Sequence, residues 1–593
     1  MTRNPLVSDA FVDLLMFDAL DVSALTAFDH FREHDRGTFE LWVQSCRRLA
    51  REKLFAAYRP MDSAPPALSD GRVRTHPVMN ELWPALAETG VINATRPYDV
   101  GGQQLPFTVA TIASFYLLAA NGAAYSFAGL TTGAGHLIEA FGDETVRGLF
   151  LEPLYNGTFN GTMALTEPHA GSSLADLTST ATPRGDGTYS IKGSKIFISG
   201  GDQSFARNTV HMVLARLDGA PSGTRGVSLF AVPRERPTND GAWEHNDVHV
   251  AGVIHKIGWR GIPSLALSFG DEGDCRGWLV GPSNHGLKCM FQMMNEARLL
   301  VGASAAATAT VAFYESLAYA RERTQGRRLG DTDPTSKPVA LTEHADVRRM
   351  LLEQKCVAEG SLALVARCAK FSDTAQHHPD GDERERAQML LDLLTPIAKS
   401  FPAERGFQSN ALAVQIHGGY GYSSEYLVES WLRDQKLNSI HEGTTQIQAL
   451  DLLGRKVIAR GGRALATLCE EVERDLATAL SKGVDPSLVA SVREALARWS
   501  ALTQALAAKG LAGDVHGMMG HSTDYLDATG SLVLGWLWLW LAGATRAREG
   551  HFYDGVRAAA RFWVTREVPR VHALAAVIER DDQAFLGLDE RAL

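Results

Sequence analysis

The sequence lacks the patterns that would tie it to a metal, a disulfide framework, a nucleic acid or a bilayer. Its six cysteines (Cys46, Cys275, Cys289, Cys356, Cys368 and Cys469) are scattered over 593 residues and form no CxxC pair. That argues against a zinc cage or a stapled fold and fits a reducing compartment. Positive charge is also short: 58 Lys+Arg stand against 68 Asp+Glu, a formal net charge of -10. Nothing there invites a phosphate backbone. The longest apolar run, LVLGWLWLWLAGA from Leu532 to Ala544, has thirteen residues, fewer than the ~20 that span a bilayer. It is expected to be a buried core helix or a helix–helix interface. The opening MTRNPLVSDAFVDLL carries no long apolar core and no small-residue cleavage site, so a cytoplasmic protein without a signal peptide is expected. No repeat of fixed period and no low-complexity tract occurs.

What is present is an ordinary globular balance, 45% hydrophobic and 21% charged, in a chain too long for one core. The pattern changes three times. Residues 1–158 read as helical, with apolar residues at three and four spacing in FELWVQSCRRLAREKLFAAY and VMNELWPALAETGVI. LTTGAGHLIEAFGDETVRGLFLEPL reads as two short helices ending near Asn156-Gly157. Residues 159–282 alternate, as in TYSIKGSKIFISGG, VHMVLARL and GVSLFAVP, with the turn clusters PRGDG, DGAPSG and RERPTNDG between runs. An antiparallel barrel or sandwich follows. Residues 283–462 return to helical periodicity, suited to a four-helix bundle, with Pro396 and Pro402 as expected breaks or starts. Residues 463–593 add a further helical domain containing Trp499, Trp536, Trp538, Trp540 and Trp563. The class is α+β, in the order α, β, α, α. That order excludes a Rossmann chain, and the GGxG at Gly418–Gly421 follows no strand pattern.

Three segments could carry chemistry. MALTEPHAGSS (Met163–Ser173) reads bare as a turn and loop, though its amides and hydroxyls could hold a polar cofactor. In KIFISGG (Lys195–Gly201), Phe197 reads as a core aromatic and Ser199 as a strand-end residue. In QIHGGYGYSSEYLVESWLRDQKLNSIHEGTTQIQ (Gln415–Gln448), His441-Glu442 could suggest a metal, but no cluster of further ligands lies nearby. Glu442 stands in a small-residue break between helical stretches, which suits a carboxylate held at one point.

Taken together with HKIGWRGIPSLALSFGD, GLKCMFQMMNEAR and YARERTQGR, these segments resemble the acyl-CoA dehydrogenase family. The likeness is to the longer subgroup with an added C-terminal helical domain, which includes 3-methylthiopropanoyl-CoA dehydrogenases. The resemblance implies FAD as cofactor, an acyl-CoA substrate, an electron-transfer flavoprotein as electron acceptor, and a homodimer or dimer of dimers. It implies Glu442 as the base, with Gly443 against the acyl chain. Met163, Leu165 and Thr166 would meet the flavin. Ser172 would lie between flavin phosphate and the substrate's pantetheine arm. Phe197 stands where the family often has Trp, and Ser199, near flavin N5, where many members have Thr. Asn295 and Arg298 match contacts to the CoA portion. Arg323 and Gln325 match contacts to a neighbouring subunit's FAD diphosphate, and Gln415, Gly418 and Gly419 match a cofactor-contacting turn. Thr444 and Gln446 would contact the adenine side. His169 replaces a common Gly and His441 a frequent Tyr, so no chain-length preference carries over.

The implied chemistry is consistent with these residue types. The α-hydrogen of a thioester is weakly acidic, and a desolvated carboxylate gains the basicity to remove it. The β-hydrogen leaves as hydride, which a flavin accepts and no side chain does. An acyl-CoA oxidase using oxygen would share this pattern. A non-catalytic flavoprotein of the alkylation-response type would bind DNA through a basic C-terminal domain. Residues 470–593 carry 13 Lys+Arg against 17 Asp+Glu, which argues against that use.

Overall fold

The computed structural model describes residues 4–238 and 240–593. The described chain divides into two compact units. One comprises residues 40–106 and 116–297, the other residues 1–39, 107–115 and 298–593.

The first unit is built on an eight-stranded sheet: β1 (Phe159–Ala164), β2 (Thr180–Pro183), β3 (Tyr189–Ser199), β4 (Asn208–Leu217), β5 (Val227–Pro233), β6 (Val248–Val253), β7 (Ser264–Phe269) and β8 (Arg276–Leu279). The strand order is β6-β7-β3-β8-β5-β4-β1, with β2 paired to β3 and β4. The sheet is mixed, which corrects the expectation of a purely antiparallel one. β1 runs parallel to β4 with Met163 beside Met212, and β2 runs parallel to β4. The cause is connectivity: β2 and β3 intervene between β1 and β4, and so long a crossover returns the chain in its starting direction. β4 and β5 are almost wholly buried, as strands covered on both faces must be. One face of the sheet packs with Leu137, Ile138, Phe150 and Leu154, contributed by helices Phe107–Phe141 and Glu144–Tyr155. The two short helices expected there are thus the end of a 35-residue helix and a separate 12-residue one. The long helix is kinked where Asn121 leaves helical geometry (φ -162°), and its side chain accepts from the Ala124 amide at 3.0 Å. The kink thereby re-caps the helix that follows.

The second unit is helical. Its bundle comprises helix Gly286–Glu322 from Arg298 onward, with Ala345–His377 and Gly381–His417. Pro396 and Pro402 break nothing: both lie inside the 37-residue helix Gly381–His417. Pro402 has no N–H to give Ala398 four residues back. The Ala398 carbonyl meets the facing helix at Gly302, where a Cβ would come within 2.1 Å of it. A bare glycine lets the two helices close over that proline.

The apolar run at Leu532–Ala544 belongs to helix Ser522–Ala544, which is longer than its apolar stretch suggests. Among the described residues, three helices are long and apolar enough to cross a membrane: Phe107–Phe141, Glu296–Glu322 and Val515–Ala544. Their apolar windows are 83, 83 and 89% buried, so protein already covers them. Trp499, Trp536, Trp538 and Trp563 are fully buried. Each indole N–H has an acceptor: Thr529 at 2.8 Å, Asp475 at 2.8 Å, the Cys356 carbonyl at 3.2 Å and the Ser531 carbonyl at 3.1 Å.

Candidate active site

Glu442 sits in the turn between helix Val428–Leu437 and helix Thr445–Asp451. Thr444 caps the second helix, its hydroxyl accepting from the Ile447 amide at 3.3 Å. Glu442 and Gly443 both have left-handed backbones, φ 52° and 87°. A glutamate rarely adopts that conformation, and residues held there gather at functional sites. The buried Gln448 side chain fixes the turn, donating to the Glu442 carbonyl at 3.3 Å and the Gly443 carbonyl at 3.4 Å. The Thr445 hydroxyl donates to Glu404 at 2.5 Å, tying the turn to helix Gly381–His417.

The electrostatics of the turn are uneven. Burial pushes Glu442 above the usual carboxylate range, and the charges of Arg298 and Lys399 only partly offset it. Yet the side chain is exposed. Arg298 is buried and bound to Asp451 at 2.9 Å, and Asp451 also takes Arg455 at 2.6 Å. Arg298, expected to meet the CoA portion, is thus held at Asp451 and is also an electrostatic neighbour of Glu442. Burial, with Lys399, lowers His441 to about 3, so its ring stays neutral and offers no cation to the base. The Asn295 side chain lies outside the described residues.

The other carboxylate worth comparing is Glu296, in the first unit. Burial alone would raise it, but the hydrogen bond and charge of His136, 3.3 Å away, bring it below the usual range. Its shift is thus opposite in direction to that of Glu442.

On the sheet unit, β3 carries a bulge. Ile198 pairs with Leu265 but Lys195 with Leu267, so Ile196 and Phe197 oppose one residue. Phe197 takes the left-handed conformation, φ 61°, and its ring is 60% exposed. Strict alternation would put Phe197 on the inward face with Lys195. The bulge shifts the parity and turns the ring outward, as bulges beside functional sites do. Ser199 ends the strand half-buried, its carbonyl accepting from the Thr162 hydroxyl at 2.6 Å. Met163, Leu165 and Thr166 are half-buried at and beyond the end of β1, and Ser172 is exposed.

A buried ion pair holds this loop. Lys195 Nζ donates to Glu167 at 2.8 Å, to the Leu165 carbonyl at 3.0 Å and to the Leu214 carbonyl at 2.8 Å. Glu167 also accepts from both the amide and hydroxyl of Thr178 and of Ser179. Burial would raise Glu167, but Lys195 and Ser179 hold it down at about 2. The remaining expected residues lie at exposed points of the helical unit. Arg323 stacks over the Tyr420 ring at 5.9 Å, and Gln325, Gln415, Gly418 and Gly419 are exposed. Gln446 is engaged elsewhere: it donates to Ser522 at 3.2 Å and accepts from Thr523 at 2.5 Å. Its amide is therefore engaged by helix Ser522–Ala544.

Comparison with known proteins places these features. Four family models match in chain order: the acyl-CoA dehydrogenase N-terminal domain over residues 40–158, the middle domain over 162–271, the C-terminal domain over 284–457 and the acetyl-CoA dehydrogenase C-terminal-like domain over 468–589. The chain is 32% identical to a broad-specificity linear acyl-CoA dehydrogenase, FadE5, of Mycobacterium tuberculosis, over 97% of this chain and 98% of that one. The chain belongs to the acyl-CoA dehydrogenase family. It is 36% identical to the 3-methylmercaptopropionyl-CoA dehydrogenase of Ruegeria pomeroyi over 79% of each chain. The fold matches an acyl-CoA dehydrogenase of Bacillus anthracis complexed with FAD, at a TM-score of 0.75 and 19% identity over 97% of this chain and 91% of that one. As an acyl-CoA dehydrogenase, the chain is an oxidoreductase acting on acyl-CoA, and the family is FAD-dependent.

The residues present fit a flavin. An exposed aromatic face in mid-sheet, a hydroxyl at the strand end and a clamped backbone at Leu165 are what a planar, polar-edged ring system needs. Lys195, Glu167, Gln448 and Lys399 were not singled out from sequence. Lys195 did carry a signal, a charge on the inward alternation of an otherwise apolar strand.

Proposed function

We propose that this acyl-CoA dehydrogenase oxidises the Cα–Cβ bond of an acyl-CoA thioester to the trans-2-enoyl-CoA, with the Glu442 carboxylate taking the α-proton. The observation that carries this reading is the contrast between carboxylates. Glu442 is raised by desolvation and makes no ion pair among the described residues, whereas Glu296 is held low by His136 and Asp451 is bound by two arginines. Desolvation makes the Glu442 carboxylate more basic. Gln448, gripping the carbonyls on either side of Gly443's amide, fixes where the carboxylate starts. Bound FAD would accept the hydride leaving Cβ. Phe197 would stack on its ring, Ser199 would hydrogen-bond its edge, Met163, Leu165 and Thr166 would meet its polar side, and Ser172 would face its phosphate. Gly443 would leave room for the acyl chain.

The exposed set Arg323, Gln325, Gln415, Gly418 and Gly419 supports a homodimer, or a dimer of dimers, in which these residues reach a neighbouring subunit's cofactor. Tyr422 and Leu329, 90 and 101% exposed, lie in the same stretches of chain. Electrons would leave to an electron-transfer flavoprotein, in the cytoplasm. The relatives named for linear, butyryl and methylmercaptopropionyl acyl groups make unbranched acyl-CoAs the first substrates to try.

The test is anaerobic stopped-flow flavin bleaching with a panel of unbranched acyl-CoAs. Glu442→Gln should still bind FAD and acyl-CoA but bleach about 10²–10⁴-fold more slowly. Bleaching at the wild-type rate would move the base elsewhere.

A further inference from the structure

Helix Thr445–Asp451, which follows the Glu442–Gly443 turn, has seven residues. That is about 10 Å of helix, too short to be stable or to keep a direction by itself. Its placement comes from what its side chains grip. Toward the bundle, the Thr445 hydroxyl donates to Glu404 at 2.5 Å and Asp451 takes Arg298 at 2.9 Å. Toward the added C-terminal segment, Gln446 uses both ends of its amide, donating to Ser522 at 3.2 Å and accepting from Thr523 at 2.5 Å. Farther along, Gly454 lies so close to Met519 that a Cβ would fall 2.9 Å from its Cε. Thr445 and Gln446 are adjacent, so their side chains leave the helix about 100° apart. Two grips in different directions fix the rotation of the first turn, and losing one returns part of that freedom.

We propose that Ser522 and Thr523 are positioning residues for the base: through Gln446, the added C-terminal segment fixes the helix that Thr444 caps, and with it the Glu442 turn. This deepens the assignment of Glu442 as base and rests on it. The far side of the clamp is stiff. Ser522 is buried, and it and Thr523 open helix Ser522–Ala544, whose Trp536 and Trp538 are fully buried. His521, just before them, is hydrogen-bonded to Asp524 at 3.2 Å and to the Asp582 carbonyl at 3.1 Å. Lys509 holds the neighbouring Asp581 at 2.7 Å. The near side is a short lever. Gln448 stands on the same helix as Gln446 and grips the Glu442 and Gly443 carbonyls at 3.3 and 3.4 Å. A swivel of the helix carries Gln448 with it and shifts both carbonyls. A hydroxyl pair far from any reacting atom thereby bears on where the carboxylate points, and displacements of this kind are costly in rate.

The test uses the full-length holoenzyme carrying Ser522→Ala with Thr523→Val, which removes both hydroxyls and changes side-chain volume little. Single-turnover bleaching is followed over a range of concentrations of the best-bleaching unbranched acyl-CoA of the panel above. The rate at saturation should fall several-fold, while the half-saturating concentration and the FAD content stay at wild-type values. Thr523→Ser, which keeps the hydroxyl, should bleach like wild type. Amide hydrogen exchange over residues 439–451 should quicken in the double variant, with residues 463–481 unchanged, and this readout needs neither substrate nor turnover. A thermal melt confirms the fold. A folded double variant with the wild-type saturating rate and unchanged exchange overturns the proposal. So does a loss confined to FAD retention, which would make Gln446 a cofactor contact instead. If Glu442→Gln bleaches at the wild-type rate, the base assignment fails, and exchange over residues 439–451 alone decides whether the added segment holds the turn.

Discussion

At the scale of single residues, the unusual feature is a pair of left-handed backbones with the carboxylate proposed as the base on the first. Gly443 tolerates φ 87° because it has no Cβ, and a Cβ there would meet Gln448 Nε2 at 2.4 Å. Gly443→Ala is strained on both counts and displaces the clamp on Glu442. The expected outcome is a modest loss of stability, about 1 kcal/mol, beside a fall in flavin reduction of about 10²-fold, since misplacing a reacting group by 1 Å costs that much. Thermal melts and single-turnover bleaching separate the two, and parallel small losses in both would make Gly443 a turn residue only. Glu167 offers a pH test. Its folded pKa, about 2, lies below its ordinary 4.5, so the stability it contributes is complete above pH 4.5 and is lost as pH falls toward 2. Glu167→Gln should flatten that part of the stability–pH curve. At neutral pH it should cost about 3–5 kcal/mol, because Lys195 is left buried and unpaired. An unchanged acid profile would mean that other carboxylates govern it.

At the scale of elements, β3 carries two of the residues proposed to meet the flavin, Phe197 and Ser199. Its bulge frees Phe197 from the core, and its last residue offers a hydroxyl. Ser199→Ala should keep the fold and FAD content but slow flavin reduction about two- to twelve-fold, the loss of one neutral hydrogen bond of about 0.5–1.5 kcal/mol. An unchanged rate would leave Ser199 as a strand terminus. The same strand shows where sequence reading stops. The order of helical and alternating segments was legible because periodicity survives in each. So was the break that holds Glu442, because small residues interrupt helical spacing around it. Phe197's exposure was not legible, since alternation assigns it inward and a bulge leaves no mark in residue types. The parallel pairing of β1 with β4 depends on how the chain returns, which alternation does not encode. Pro396 and Pro402 misled for a related reason: a facing glycine, distant in sequence, makes room for the helix that contains Pro402. Lys399's burial is likewise a three-dimensional fact, invisible in LTPIAKSFPAERG.

At the scale of the whole helical unit, residues 463–593 are integrated with the bundle by charge as well as by tryptophan. Arg367 of helix Ala345–His377 pairs with Glu471 at 2.7 Å and Asp475 at 2.6 Å, and its guanidinium lies 4.6 Å from the ring centres of both Trp536 and Trp540. Arg386 reaches Glu471 at 2.5 Å, and Arg405 pairs with Glu567. Gly360 approaches Trp538 so closely that a Cβ would fall 2.7 Å from its indole nitrogen. Helix Ser522–Ala544 thus packs on a bundle surface with three arginines whose partners come from the added segment. Removing that segment would leave Arg367 and Arg405, both mostly buried, beside an apolar face stripped of its tryptophans. A chain ending at residue 462 should therefore be insoluble or molten, not a smaller working enzyme. Glu471→Leu, which breaks the hub without truncation, should cost about 3–5 kcal/mol through the arginines it leaves unpaired. It should lower the melting temperature while leaving the bleaching rate of the surviving folded enzyme near wild type, because among the described residues Glu471 pairs with Arg367, Arg386 and Arg474 and not with the groups around Glu442. A soluble truncated protein that melts cooperatively and bleaches with acyl-CoA would show instead that the bundle is self-sufficient and that these ion pairs only dock an independent domain.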